Sequence, residues 1–285
     1  MEKMYNYLLN KIFTVPYIDK MVSDDEKPEA FIKCVQRHVR DDVCTYGEAI
    51  SKVYHYMDTS YRNEYYYKNT ILNKLLIEKH DLYNTAALTE LPVAESKADF
   101  VMINGQGIVY EIKTELDNFN RLKTQLQDYY KGFEFVNVVV GSNYYAKAKE
   151  LLKDSAVGIY VLYDSGNLLC RKKAKRKSDD LSHDVIFRIL RKKEFESIIK
   201  KYFSKLPDVN NFKYYKECLK LLETLDVRVF QKEMLQCLKE RSLVLVNECL
   251  EEDIPYELRF YAYFTKKYNT SHEMINTFWD RKLEV

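Results

Sequence analysis

Glycine is distributed so unevenly in this chain that it divides the fold before any other signal is read. Six of the seven glycines (105, 107, 132, 141, 158 and 166) lie within one segment, and only Gly47 lies outside it. Turns and strand ends use glycine's conformational freedom, whereas helix interiors are weakened by it, so strands are expected in that segment and helices on both sides. With 285 residues, 46% of them hydrophobic, the chain has ample apolar material for a core.

Hydrophobic spacing fills in the elements. Residues 1–59 are rich in Tyr, Lys and Asp with helical spacing, including Phe31, Val35 and His38, and read as a helical cap. Residues 61–80 form a stronger helix with a stripe through Ile71, Leu72, Leu75 and Leu76. Strands follow at 85–93, 98–103 and 107–113. Asp117 or Asn118 is positioned to cap a helix carrying Phe119, Leu122, Leu126, Tyr129, Tyr130 and Phe133. A strand at 135–140, a helix at 144–153 and a strand at 157–163 complete the segment. Beyond residue 181 the pattern is helical, with stripes at Ile186, Ile189 and Leu190 and at Phe230, Met234 and Leu238, and with Pro255 opening a late helix. The order predicts an α/β fold in which a three-stranded meander continues through helical crossovers into a parallel part: a mixed sheet flanked by helices. Three regions are expected: 1–59, helical; 60–170, the α/β core; and 171–285, a basic linker with a helical C-terminal region.

The chemistry-bearing residues gather at one hairpin. Apolar β-branched runs flank Asn104-Gly105-Gln106-Gly107, which is hairpin turn chemistry. A three-residue loop over 104–106 pairs Ile103 with Gly107 and sets Asp99 opposite Glu111, so that Asp99, Glu111 and Lys113 share a face and Phe100, Tyr110 and Ile112 take the other. A two-residue loop at Gly105-Gln106 shifts the register by one and puts the two carboxylates on opposite faces. Paired acids suit a hard divalent cation, and a lysine beside them can hold or deprotonate a metal-bound water.

Asp99 followed by Glu111-Ile112-Lys113, with Gln125 and Tyr129 on the next helix, resembles the PD-(D/E)XK nuclease superfamily over residues 60 to 165. Gln125 and Tyr129 resemble the Gln-x-x-x-Tyr element of RecB-type nucleases, and the wider pattern is similar to a poorly characterised bacterial family. Ala98 stands where that superfamily usually has proline. The resemblance implies a restriction-endonuclease-like core and a Mg²⁺- or Mn²⁺-dependent phosphodiester hydrolase acting on DNA. On that reading Asp99, Glu111, the Ile112 carbonyl and Glu64 hold the metal. Lys113 positions or activates the attacking water, Gln125 contacts substrate or steadies Lys113, and Tyr129 supports it.

Charge supplies the partner. The formal net charge is only +2, yet residues 171–205 carry thirteen Lys/Arg against five Asp/Glu. The densest run holds Arg171, Lys172, Lys173, Lys175, Arg176 and Lys177, an array suited to phosphate backbones and assigned to substrate binding. Six cysteines without a Cys-x-x-Cys pair, no apolar run long enough for a bilayer and no signal-peptide core point to a cytoplasmic protein without a membrane partner. No phosphate-binding glycine loop and no paired histidines are present. The alternative to a nuclease is a non-catalytic nucleic-acid-binding or regulatory protein, or an interaction module, on the same fold. The helical flanks are expected to serve a protein partner or a second copy.

Overall fold

The computed structural model describes residues 2–23, 28–39, 42–80, 84–243, 254–265 and 272–283. Its centre is a six-stranded sheet in sequential order: β1 (Ala86–Val93), β2 (Ser96–Ile103), β3 (Gly107–Lys113), β4 (Phe135–Gly141), β5 (Gly158–Leu162) and β6 (Leu168–Lys172). β1, β2 and β3 form an antiparallel meander; β3, β4 and β5 are parallel; β6 returns antiparallel to β5. The predicted mixed sheet is therefore present. β6 was not among the expected strands: it straddles the expected boundary at 170/171, and of its five residues only Leu168 is buried.

Each face of the sheet is covered by a different part of the chain. Phe100, Met102, Tyr110, Ile112, Val139 and Leu162 face a helical layer from the N-terminal side. That layer contains α1 (Glu2–Ile12), α2 (Val15–Ser23), α3 (Glu29–His38), α4 (Tyr46–Ser60) and α5 (Glu64–Ile71), which continues as a π-helical segment, Leu72–Ile77. The predicted stripe through Ile71, Leu72, Leu75 and Leu76 is fully inside it. Val101, Val109, Val136, Val138, Val140 and Val161 face the other layer. There lie the crossover helices α6 (Leu122–Tyr130) and α7 (Tyr145–Leu152), followed by α8 (His183–Ile189), α9 (Lys192–Phe203), α10 (Asn211–Leu222) and α11 (Val227–Leu243). Alternating strand residues thus feed two separate cores, so nearly every residue of β4 is buried and the strand reads as a continuous apolar run.

The last described helices, α12 (Arg259–Phe264) and α13 (His272–Asp280), return to the first layer. There Thr45 bridges Lys282, and a side chain at Gly47 would meet the Trp279 ring at 2.5 Å, so glycine permits this close approach. The outer edge of β1 is closed by side chains: Tyr263 accepts from the Ala87 amide at 3.0 Å, and Ser242 donates to the Ala87 carbonyl at 2.9 Å. Covering these groups removes a template for strand addition.

The cap expected for α6 is corrected. α6 starts at Leu122 without a side-chain cap, and Asp117 instead accepts from the Thr114 amide (2.9 Å) and hydroxyl (2.8 Å) at the end of β3. Phe119, Leu122, Leu126, Tyr129, Tyr130 and Phe133 are nevertheless all buried, as their spacing predicts. Of the cysteines, Cys34, Cys44, Cys170, Cys218 and Cys237 are free, and Cys249 lies outside the described residues, as does the apolar run after Leu243. Among the described residues no helix is long and apolar enough to cross a membrane.

Candidate functional site

The hairpin takes the three-residue loop. Ile103 pairs with Gly107, Gly105 has φ +67°, and the Asn104 amide donates to the Gln106 carbonyl at 3.0 Å. The β2–β3 ladder stops at Phe100 and Tyr110; one further step in that register sets Asp99 opposite Glu111. At that step the strands part, and the Ile112 amide donates to Asp99 Oδ2 at 2.7 Å. A side-chain carboxylate has taken the place of a ladder carbonyl. Ile112 thus meets Asp99 through its N–H.

Alternation breaks at the same point. Ala98 and Val101 both face the second core and Phe100 faces the first, whereas a regular strand puts residues 98 and 100 on one side. Across the ladder, Thr89 pairs with Phe100 and Leu91 with Ala98, so Glu90 stands opposite Asp99, at φ 56°. A left-handed glutamate inside a strand is strained, by about 1–3 kcal/mol. The paired irregularity lifts Glu90 and Asp99 out of the sheet's regular pattern.

Glu111 is 1% exposed, and both of its carboxylate oxygens accept hydrogen bonds. Oε1 accepts from Lys113 Nζ at 2.8 Å and from Gln125 Nε2 at 2.6 Å. Oε2 accepts from the Tyr129 hydroxyl. Lys113 Nζ also donates to Gln125 Oε1 at 2.9 Å, closing a triangle. The i, i+4 spacing of Gln125 and Tyr129 on α6 delivers both side chains to the same carboxylate, as the sequence reading expects. Burial, and next the negative charge of Glu111, raise the Tyr129 phenol, so it remains a donor. Its single proton is shared with the Lys97 carbonyl, 2.8 Å away.

Asp99 differs in kind. Burial, then the neighbouring Glu111 charge, push its carboxyl up to about 8, so it is largely neutral at pH 7. Towards the first helical layer it meets Glu64, set at the start of α5 by the Asn63 cap, which accepts from the Tyr66 amide at 3.1 Å. One carboxylate oxygen each from Glu64, Glu90 and Asp99 lie within 4.8 Å of one another. That donor set suits a hard divalent cation. Of the expected ligands Glu64 and Asp99 meet there, and the third carboxylate is Glu90 rather than Glu111. Lys68 already serves the cluster: its ammonium is 2.6 Å from Glu64 and also bonds Glu90. Burial opposes the Lys68 charge, but Glu64 and Glu90 outweigh it and raise its pKa. Burial likewise disfavours the Glu90 charge, and Lys68 and Lys97 more than offset it, lowering that group. A cavity of ≈ 570 Å³ opens onto Glu64, Lys68, Glu90 and Asp117.

Sequence reasoning missed Glu90, Lys68 and Lys97. Glu64 and Lys68 at i, i+4 were a readable signal; Glu90, inside a predicted strand, had none without knowledge of its backbone.

The basic run does not join this site. Arg171 and Lys172 belong to β6, and the following segment crosses the N-terminal ends of the parallel strands, with the Lys175 amide donating to Ala156 and the Lys177 amide to Glu134. Lys113 lies at the other end, five ladder steps from the Ile108–Phe135 pair, about 16 Å along the strand. Several of the charges are engaged. Lys172 donates to the Leu152 carbonyl and, at 2.8 Å, to that of Ser155, at the end of α7. Arg176 is 3.4 Å from Glu134, Lys177 2.5 Å from Asp180, and Arg171 lies over the Tyr145 ring at 5.7 Å. Lys173 and Lys175 are exposed and make no ion pair among the described residues.

Comparison with known families assigns residues 57–254, more than half of the chain, to the family described as Bacteriophage P4 protein cII. No curated protein and no solved structure matches the chain. The family match corrects the resemblance to PD-(D/E)XK nucleases, and with it the reading as a magnesium-dependent nuclease and hydrolase. Asp99, Glu111, Lys113 and Gln125 thereby lose the hydrolytic chemistry from which their catalytic roles were drawn. In the structure Lys113 and Glu111 form a buried ion pair, 10% and 1% exposed.

Proposed function

The chain belongs to the Bacteriophage P4 protein cII family, and from that premise we propose that it is a non-catalytic regulatory protein that binds nucleic acid without cutting it. The observation that carries this reading is the closed network around Glu111, in which both carboxylate oxygens are engaged by Lys113, Gln125 and Tyr129. Such a network favours a structural role for the hairpin acids. Exposed Lys173 and Lys175, with Arg171 on the edge strand, favour contact with a phosphate backbone. DNA is the substrate to test first. The compartment that fits is the cytoplasm, where the free thiols stay reduced. We also propose that Mg²⁺ or Mn²⁺ is held by Glu64, Glu90 and Asp99, in competition with the Lys68 ammonium.

The test is a fluorescence-anisotropy titration of labelled single- and double-stranded DNA and RNA at several salt concentrations. Binding whose affinity falls linearly on a log–log salt plot, and which persists in Asp99→Asn and Glu111→Gln, supports the reading. Absence of binding to every nucleic acid at low salt overturns it.

A further inference from the structure

The α9–α10 corner carries an aromatic surface that remains exposed at the edge of the second core. Phe212, in the first turn of α10, is 100% exposed, and Tyr215, one helical turn on, is 52% exposed. At i and i+3 their rings share one face of the helix. Tyr215 is held in place by edge contacts to Phe187 (6.4 Å between centroids) and Phe195 (5.5 Å), so its free face keeps a fixed orientation. α10 itself is anchored by buried Cys218 and Leu222 and begins at an Asn210 cap, whose side chain accepts from the Lys213 amide at 3.2 Å. The aromatic face is thus presented on a rigid element.

The charges around it have one predominant sign. Lys213 and Lys216 lie on α10 beside the rings, and exposed Lys205 lines the adjoining groove of ≈ 480 Å³ together with Lys220, Asp208 and Glu217. Lys220 is matched by Glu217 at 2.7 Å, leaving Lys205, Lys213 and Lys216 against Asp208. Two rings exposed on one helix face and rimmed by lysines form a surface suited to an anionic ligand with apolar faces. Unpaired nucleobases on a phosphate backbone have that chemistry; in a duplex the base faces are already stacked on each other.

We propose that the Phe212/Tyr215 face of α10 is a stacking platform for single-stranded nucleic acid, with Lys213 and Lys216 contacting the backbone. This rests on the nucleic-acid-binding reading and extends it to a substrate class. Stacking on one aromatic residue contributes about 1–3 kcal/mol, equivalent to roughly 5- to 150-fold in affinity.

The test compares wild type, Phe212→Ala and Lys213→Glu/Lys216→Glu, all at exposed positions, for binding to a 20-nucleotide single-stranded DNA and to a duplex of the same length. The expected result is a loss of at least about 5-fold for the single strand in Phe212→Ala, with duplex affinity unchanged. In Phe212→Trp, tryptophan fluorescence should be quenched by the single strand and not by the duplex. If wild type binds nucleic acid while Phe212→Ala retains full single-strand affinity, the platform is wrong and the broader reading stands. Failure of wild type to bind any nucleic acid overturns both. A Phe212→Ala variant that changes only the sedimentation coefficient assigns the face to a second copy and overturns the platform.

Discussion

The β3–α6 network and the segment after β6 are built from similar ionic residues in opposite circumstances. In the first, Glu111 and Lys113 are buried and answer each other, with Gln125 and Tyr129 adding further hydrogen bonds. In the second, Lys173 and Lys175 face solvent, held in place by backbone hydrogen bonds such as Lys175 to Ala156. Charge buried with its partner stabilises a particular geometry, whereas charge left in water is available to a ligand. The contrast separates two roles that the sequence reading had merged into one active site.

The largest effect that can break the comparison is expected at Lys113. Lys113→Met leaves the Glu111 carboxylate buried without its cation, which should cost about 3–5 kcal/mol of stability, measured by urea unfolding. Adding Glu111→Gln should recover most of the loss, because the orphaned charge is removed. A Lys113→Met protein as stable as wild type would mean that the network does not hold the hairpin to α6.

A second test uses pH. The folded state holds the Asp99 proton more tightly than the unfolded chain does, since its pKa is raised to about 8. Its contribution to stability is therefore full at low pH and is lost progressively as pH rises from about 4 to about 8, with a slope on the order of 1 kcal/mol per pH unit. Asp99→Asn, which stays neutral and keeps an acceptor for the Ile112 amide, should flatten that slope and be the more stable protein at pH 8. Parallel pH profiles for the two proteins would contradict the buried, neutral carboxyl.

Lys173→Glu/Lys175→Glu sharpens the contrast from the exposed side. The salt dependence of nucleic-acid binding should drop by about two phosphate contacts, while unfolding stays within about 0.5 kcal/mol of wild type. A stability loss comparable to that of Lys113→Met would erase the distinction between the regions. The smallest effect expected concerns the open acidic cluster. Lys68→Met removes the resident ammonium and should tighten Mn²⁺ binding by roughly tenfold in calorimetry. Unchanged affinity would argue against competition between Lys68 and the metal.

Much of the fold between residues 61 and 163 is legible because helices and buried strands carry strong periodicity, as in the Leu122, Leu126 and Tyr129 stripe and in the apolar run of β4. β6 is short and its three apolar residues run straight into the basic stretch, so no periodicity sets it apart, and Asp117 resembles a helix cap while serving the end of β3. Within the candidate site, the hairpin register and the positions of Gln125 and Tyr129 follow from turn chemistry and helical spacing. Glu90 does not, because its left-handed backbone interrupts an otherwise ordinary strand. Nor does spacing reveal that Lys113 turns towards Glu111, or that the basic run crosses the far end of the sheet; both are set by tertiary packing. The Asp99…Glu111-Ile112-Lys113 pattern therefore specifies a local geometry more reliably than a reaction.

The proposed role is binding of nucleic acid that leaves the strand intact. Its most direct test is to incubate wild type with single- and double-stranded DNA and RNA in Mg²⁺ and in Mn²⁺, reading bound fraction and strand integrity from the same samples. Salt-sensitive binding with full-length strands recovered is the expected result. Metal-dependent cleavage that disappears in Lys113→Ala, with that variant still folded, would contradict it.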